Sequence, residues 1–240
     1  MTLSQLASFI TGKLQDTDSA SVSTCKDFIN RRYQMLWDSG LWTETLGVST
    51  KAVTAGDETV TLDGAPSVTF FHSAVAPTTT LDFPVAVRFT VTGQDDGVEL
   101  PNNDWVTFFQ LDPNAWTSLS GRNATPSNFI NIPKDGSGYA RLKLVNVPDQ
   151  NGTLYVLGKL KFVALGDSDT PCLRGIDNAL LAFAEGDMLE RARQYGKAQA
   201  KYTEAAAHFA IMKDIEKGQQ QSISRIIPLE EGNVSPLGPE

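Results

Sequence analysis

The side chains that most often carry catalysis are scarce in this 240-residue sequence. It has two histidines, His72 and His208, and a Ser–His–Asp triad or a multi-histidine metal site is difficult to build from so few. We interpret both as structural or surface residues. Asp167 and Asp169 would suit acid–base chemistry as a carboxylate pair, but their position before Pro171 favours a role at the start of a helix. The sequence predicts no catalytic residues, and a hydrolase ranks last among the functional hypotheses.

Two segments approach ion-binding motifs without matching them. The acidic loop 94–99 offers hard oxygen ligands for Ca²⁺, but it lacks the D-x-D-x-D-G spacing of a dedicated calcium loop. We interpret it as a solvated hairpin tip. Gly196-Lys197 resembles the end of a phosphate-binding loop, but Arg191 stands five residues earlier, where that motif requires glycine. We therefore expect no metal site and no cofactor.

Aromatic residues in the middle of the chain suggest a different class of function. Trp105, Phe108, Phe109 and Trp116 would form a stacking platform for sugar if they lay together on one face of a sheet. Large aromatic side chains more often fill a core. A glycan- or receptor-binding β-sandwich, displayed on a helical stalk, is the alternative hypothesis.

The charge and the hydropathy of the chain exclude other classes. The net charge is −8 at pH 7, and basic residues outnumber acidic ones in none of the segments 1–42, 43–165, 166–221 and 222–240, which argues against neutralisation of a phosphate backbone. No apolar run approaches the roughly 18 residues that span a bilayer, so we expect no membrane segment. Cys25 and Cys172 have no metal or redox spacing, which indicates free thiols in a reducing compartment.

Residues 1–42 predict a helical hairpin. Apolar residues recur at helical spacing in 2–15 and again in about 20–39. Thr2-Leu3-Ser4-Gln5 fits a capping box, and Gly40 stands where a left-handed residue would end the second helix. Two short antiparallel helices joined by a polar turn account for this pattern.

Residues 43–165 predict an antiparallel β-sandwich. Turn signals recur roughly every 8–12 residues, and apolar and polar residues alternate in 85–91, 141–144 and 154–162. Such alternation indicates strands with one buried and one solvated face. Asn151-Gly152 is a dipeptide typical of tight hairpins. The stretch 111–132 has little pattern, and we expect a long excursion there.

Residues 166–221 predict one long C-terminal helix. Thr170-Pro171 would supply its cap and first residue. A heptad repeat, which keeps one seam facing a partner along the whole helix, is formed by Leu181, Met188, Tyr195, Tyr202 and Phe209. Because the repeat keeps its phase across Gly186, we expect the helix to be continuous. The seam is longer than two short helices can cover, which indicates a partner subunit.

Residues 222–240 predict an extended arm. Three prolines and two glycines in this stretch prevent a helix or a core. The predicted partner-binding kernel is a short, mostly apolar run made of Arg225, Ile226, Ile227, Pro228 and Leu229.

Together these segments predict an α+β fold. Two short N-terminal helices and the long C-terminal helix form a bundle, the antiparallel β-sandwich is inserted between them, and the arm follows. Helices that flank the β-region in sequence are what an insertion produces.

Parts of the helical regions resemble one protein family. The segment FINRRYQMLWDSGLW, residues 28–42, resembles the N-terminal helical signature of tailed-bacteriophage head–tail connector (adaptor) proteins, in which this helix ends shortly before a β-insertion. Residues 180–221 are similar to the long C-terminal helix of that family. RIIP, at 225–228, is similar to the start of its trailing arm.

The resemblance implies a structural virion protein without catalytic activity. Such proteins form a homo-oligomeric ring, usually of twelve subunits, that attaches to the portal through the C-terminal arm and joins the head to a downstream tail protein. DNA would pass through the channel without sequence-specific binding. The subunits would be made in the host cytoplasm and end at the head–tail interface of the virion.

Overall fold

The computed structural model describes residues 1–69, 80–94, 96–103 and 124–224. The arm kernel, His72 and the four aromatic residues of the predicted sugar platform lie outside these ranges. The helices are α1 (Leu3–Leu14), α2 (Ser19–Asp38), α3 (Ile176–Arg191) and α4 (Tyr195–Ser224), with a short 3-10 helix at Thr43–Thr45.

The described strands form two antiparallel sheets. They are β1 (Leu46–Val53), β2 (Thr59–Thr61), β3 (Val68–Thr69), β4 (Leu81–Val91), β5 (Val98–Leu100), β6 (Asn128–Ile132), β7 (Arg141–Val145) and β8 (Gly152–Leu160). The first sheet has the order β3-β1-β8-β4-β5, and the second has the order β2-β7-β6. The predicted α+β class, with helices on either side of an antiparallel β-region in sequence, is confirmed.

The chain divides into two compact units. Among the described residues, the sheet unit contains those of Met1–Gln5 and Asn30–Leu173, and the helical unit contains Leu6–Ile29 and those from Arg174 to Ser224. The division falls inside α1 and α2, so each of these helices contributes residues to both units.

The buried faces of β4 and β8 follow the predicted alternation at their central apolar positions, but Lys143 and Lys159, which were predicted to be solvated, are buried. Val87 and Phe89 on β4 are buried, as are Leu154 and Val156 on β8. The two sheets are also linked by hydrogen bonds, because the chain that follows β5 runs beside β6. There the Phe129 N–H donates to the Pro101 carbonyl at 3.1 Å, and its carbonyl accepts from Asn103 at 2.9 Å. Strand β6 lies at the end of the stretch 111–132 that was predicted to be an excursion, so that prediction is wrong for 128–132, while 111–123 lie outside the described residues.

Gly152 serves close packing and not a hairpin turn. Strands β7 and β8 belong to different sheets, so Asn151-Gly152 does not connect two paired strands as predicted. Gly152 instead begins β8, and a Cβ atom there would lie 2.5 Å from Phe89 Cζ. Because real Cβ atoms do not approach that closely, only glycine lets the Phe89 ring pack against the backbone of β8.

The start of α1 has the predicted capping box. The Thr2 N–H donates to Gln5 Oε1 at 2.9 Å, and the Gln5 N–H donates to Thr2 Oγ1 at 3.2 Å. The backbone carbonyls of Asp167 and Asp169 accept the next two N–H groups of this helix, which would otherwise lack partners. These aspartates therefore serve the entry of α1 and not, as predicted, a helix that begins at Pro171.

Lys159 replaces the predicted glycine cap at the end of α2. Gly40 has no positive φ, so the predicted left-handed ending is wrong. The Lys159 ammonium instead donates to the carbonyl oxygens of Trp37 at 2.8 Å and Gly40 at 2.9 Å. The Trp42 indole donates to the Leu36 carbonyl at 2.8 Å. Side chains thus satisfy the carbonyls that the helix end leaves open, and burial lowers the pKa of Lys159.

An aromatic cluster fixes the end of α2 within the sheet unit. The rings of Tyr33, Trp37 and Phe162 meet edge to face, with centroids 5.4–5.9 Å apart. The Trp37 indole donates to the Leu160 carbonyl at 3.2 Å, and the Tyr33 hydroxyl lies 3.1 Å from the Cys172 sulfur. Burial raises the pKa of Cys172 to about 11. Both cysteines of the chain are buried and free, as predicted.

The predicted long C-terminal helix is two helices, and that prediction is wrong. Helix α3 begins after Gly175, which has a φ of 72°, and not at Thr170-Pro171. It passes through Gly186 without interruption and ends at Arg191. Helix α4 then begins at Tyr195 and packs against α3.

A Schellman motif ends α3. Arg193 has a φ of 60°, the Arg193 N–H donates to Glu190 O at 2.8 Å, and the Gln194 N–H donates to Leu189 O at 2.9 Å. This pair of bonds defines the motif, in which the left-handed residue is usually glycine. The same pattern ends α1 at Gln15, whose φ is 56°. Non-glycine residues at both positions explain why the sequence did not reveal the end of α3.

We expect Lys159→Met to destabilise the protein by about 1–3 kcal/mol, because the Trp37 and Gly40 carbonyls would lose a buried donor. Denaturant unfolding, followed by far-UV circular dichroism, measures the change. Lys197→Met, which replaces an exposed lysine on α4, is the control and is expected to change stability little. Equal stability of the two variants would contradict the capping role of Lys159.

Candidate functional site

Gly186 and Tyr202 form the contact that brings α3 and α4 together. A Cβ atom at Gly186 would lie 2.6 Å from Cε1 and 2.9 Å from Cδ1 of the Tyr202 ring. The ring therefore packs directly on the backbone of α3. Glycine at this position disfavours the helix by about 1 kcal/mol relative to alanine, and it permits close approach of a large side chain from α4.

The hydroxyl of Tyr202 fixes the ring in this place. It lies 2.9 Å from Asp187 Oδ1 and 2.6 Å from Glu190 Oε2, both on α3. Burial is the main cause that raises the pKa of Tyr202, and the hydrogen bonds to the two carboxylates raise it further. The hydroxyl thus keeps its single proton, which it shares between two carboxylates that lie one helical turn apart.

Glu185 is the centre of an ion network in the helical unit. This carboxylate is 7% exposed and lies 2.8 Å from Lys13 Nζ on α1 and 3.4 Å from Lys201 Nζ on α4. Lys201 also lies 2.5 Å from Glu204. That hydrogen bond is the main cause that raises the pKa of Lys201 and lowers the pKa of Glu204. Because a buried charge is costly without partners, the network specifies how three helices meet.

The predicted seam residues do not form one seam. The first two lie on α3 and the other three on α4, so the turn between the helices interrupts their line. Their exposure differs widely: Met188 is 3% exposed and Tyr195 is 64% exposed, while Leu181, Tyr202 and Phe209 are half-buried. The partner of α3 over this length is α4 of the same chain. A role of these residues in subunit contact remains a prediction.

Exposed apolar residues instead lie along the outer part of α4. Ile211 is 57% exposed and Ile215 is 48% exposed, and the exposed Ala207 precedes them by one turn. Residues four apart share one face of a helix, so these three form the α4 strip. Sequence reasoning missed the strip because it followed the heptad line. Two isoleucines four apart in a segment rich in charge were the available signal.

The parts of the chain that the structure describes contain neither a metal-ligand cluster nor a membrane-spanning helix. Within these parts no three His, Cys, Asp or Glu side chains gather where they could hold a metal ion. No helix there is sufficiently long and apolar to cross a membrane. No protein-family model and no curated protein matches this sequence, so its function must be argued from its own residues and from the resemblance described above.

We expect Gly186→Ala to destabilise the protein by about 1–3 kcal/mol, since the new methyl group would overlap the Tyr202 ring. This loss outweighs the gain of about 1 kcal/mol that alanine brings to a helix. Gly196→Ala is the matched control, because a Cβ atom there has no neighbour within 4 Å. It is expected to raise the midpoint of urea unfolding, and a rise in both variants would refute the close packing.

The Glu204 carboxylate gives a test by pH. In the folded protein its pKa is lowered from the ordinary 4.5 by the hydrogen bond from Lys201. The unfolded chain therefore binds the proton more readily, and the pairing stabilises the fold at pH values above 4.5. This contribution disappears as the pH falls through the lower, folded pKa. We expect Glu204→Gln to lower the melting temperature at about pH 7 and to have a smaller effect at about pH 3. An equal effect at both pH values would contradict the pairing with Lys201.

Proposed function

We propose that the protein is a subunit of an oligomeric ring that joins the head of a tailed bacteriophage to its tail. In this role it has no catalytic activity. The ring, of about twelve copies in the family that the sequence resembles, attaches to the portal protein on one side and to a downstream tail protein on the other.

The α4 strip is the observation that carries this proposal. Its two isoleucines leave about half of their surface in solvent on a helix that already packs against α3. Scattered exposed apolar residues need no explanation, but an apolar patch on one face is typical of a protein-binding surface. In a ring every subunit offers the same two surfaces to its neighbours, and the contact closes on itself.

The order of elements supports the same proposal. Helix α2 contains most of the segment that resembles the connector signature, and it ends at Asp38, shortly before the first strand at Leu46. The sheets follow, and α3 and α4 return the chain to helices. This is the arrangement that the resemblance implies, with the difference that two helices stand in place of one long helix.

The arm kernel, Arg225 to Leu229, is the proposed attachment to the portal. A short apolar segment binds weakly alone, because ordering it on a partner costs entropy. Many arms on one ring raise the effective concentration of every arm once the first has bound. An acidic chain, with a net charge of −8, would also let DNA move through the channel without adhering to its wall.

The ring and the arm are tested separately. We expect the full chain to form rings, alone or on the portal protein, in light scattering and negative-stain images. The double substitution Ile211→Asp with Ile215→Asp is expected to abolish ring formation without loss of helical content, whereas Gln199→Asp, also exposed on α4, is the control. Deletion of residues 222–240 is expected to abolish portal attachment only.

Two results would contradict the proposal. Rings that survive the two aspartates would show that the α4 strip is not the subunit contact. Unchanged portal binding after the deletion would show that the arm is not the attachment.

A further inference from the structure

The outer face of the first sheet carries a groove. Its volume is about 490 Å³, and its lining includes Val48, Ala86, Arg88, Glu99, Tyr155 and Leu157. These side chains come from β1, β4, β5 and β8, on the side opposite the core residues of the same strands. The volume falls within the roughly 300–1,000 Å³ that is usual for small-molecule sites.

The register of the strands places the lining residues in two parallel rows. Leu157 pairs with Val48 on one side and Ala86 on the other, which gives an apolar row. Two residues further along each strand, on the same face, Arg88 pairs with Tyr155 on one side and Glu99 on the other. Neighbours in a row lie roughly 5 Å apart, so a polar row runs across the sheet beside the apolar one.

Gly97 directs the side chain of Arg88. A Cβ atom on Gly97 would lie 2.5 Å from Arg88 Nε and 3.0 Å from Arg88 Cγ. The stem of the arginine therefore lies against bare backbone at the edge strand, and any larger residue at 97 would displace it. A guanidinium held by its own stem offers a planar set of donors at small entropic cost.

The polar row suits a neutral ligand with several hydroxyl groups. Arg88 donates hydrogen bonds, Glu99 accepts them and the Tyr155 hydroxyl does both. Their formal charges cancel, so the row favours neither an anion nor a cation. Tyr155, which is 44% exposed, also presents an apolar ring face, and the apolar row continues that surface.

We propose that this sheet groove binds a neutral saccharide. A pyranose ring has hydroxyl groups around its edge and an apolar face of C–H bonds, which matches the polar and apolar rows side by side. Neighbouring hydroxyl groups of the sugar accept hydrogen bonds from the Arg88 guanidinium and donate to the Glu99 carboxylate. The C–H face of the sugar ring covers Tyr155 and Leu157. A free phosphate would meet the charge of Glu99, and an amine would meet that of Arg88.

The proposal is tested on the full chain with maltose, cellobiose and lactose, by saturation-transfer NMR at roughly millimolar concentrations. We expect one or more of the three to bind. Tyr155→Ala is expected to weaken that binding about tenfold, since a ring contact is lost. Gly97→Ala, which moves Arg88 but leaves the ring, is expected to weaken it as well. Tyr195→Ala, an exposed tyrosine on α4, is the control.

Several outcomes would overturn the proposal. Binding of none of the three disaccharides would do so, as would binding that Tyr155→Ala leaves unchanged. Inorganic phosphate or glycine that binds in their place would reassign the groove to an anion or a zwitterion. A change in subunit assembly on Tyr155→Ala, without any sugar, would show that a second copy of the chain covers the groove. None of these results depends on the portal experiments.

Discussion

The contact between the Gly186 backbone and the Tyr202 ring is the constraint on which the helical unit depends. It lets two helices approach closely enough to replace a single long helix, and the Tyr202 hydroxyl holds the ring through Asp187 and Glu190. The ion pairs of Glu185 then tie α1 to both. Helix α4 packs against the side of α3 that carries Gly186, Asp187 and Glu190, and the outer part of α4 leaves Ile211 and Ile215 exposed. The proposed ring contact uses this exposed α4 strip.

The sheet unit was more predictable than the helical unit, for a physical reason. Strand alternation is a direct consequence of burial on one face, so Val87, Phe89, Leu154 and Val156 could be assigned to the core from their spacing alone. The pairing of strands in two sheets was not predictable at this level. It depends on contacts between residues far apart in sequence, and the link between Asn103 and Phe129 has no local signal.

The ends of the helices were the least predictable features. Arg193 and Gln15 adopt the left-handed conformation that sequence rules assign to glycine, and Gly40, which has the favoured identity, does not. Backbone hydrogen bonds of the Schellman motif end the helices at Arg193 and Gln15, whereas side-chain donors end α2. The candidate sites likewise depend on contacts that the local sequence does not reveal. The heptad spacing did not identify one packed face, because its residues fall on two helices and Tyr195 is exposed. The sheet groove appears only when the strand register brings Arg88 beside Tyr155 and Glu99.

Lys159 lies on strand β8, and its ammonium donates to the Trp37 carbonyl in the last turn of α2 and to the Gly40 carbonyl just after the helix. The Trp37 indole makes a second bridge from the same helix to the same strand. Two crosslinks of this kind mean that the helix end cannot fray while β8 stays paired. We therefore expect the central strand of the first sheet and the end of α2 to open as one cooperative unit, so that local unfolding at this junction requires the loss of strand pairing as well.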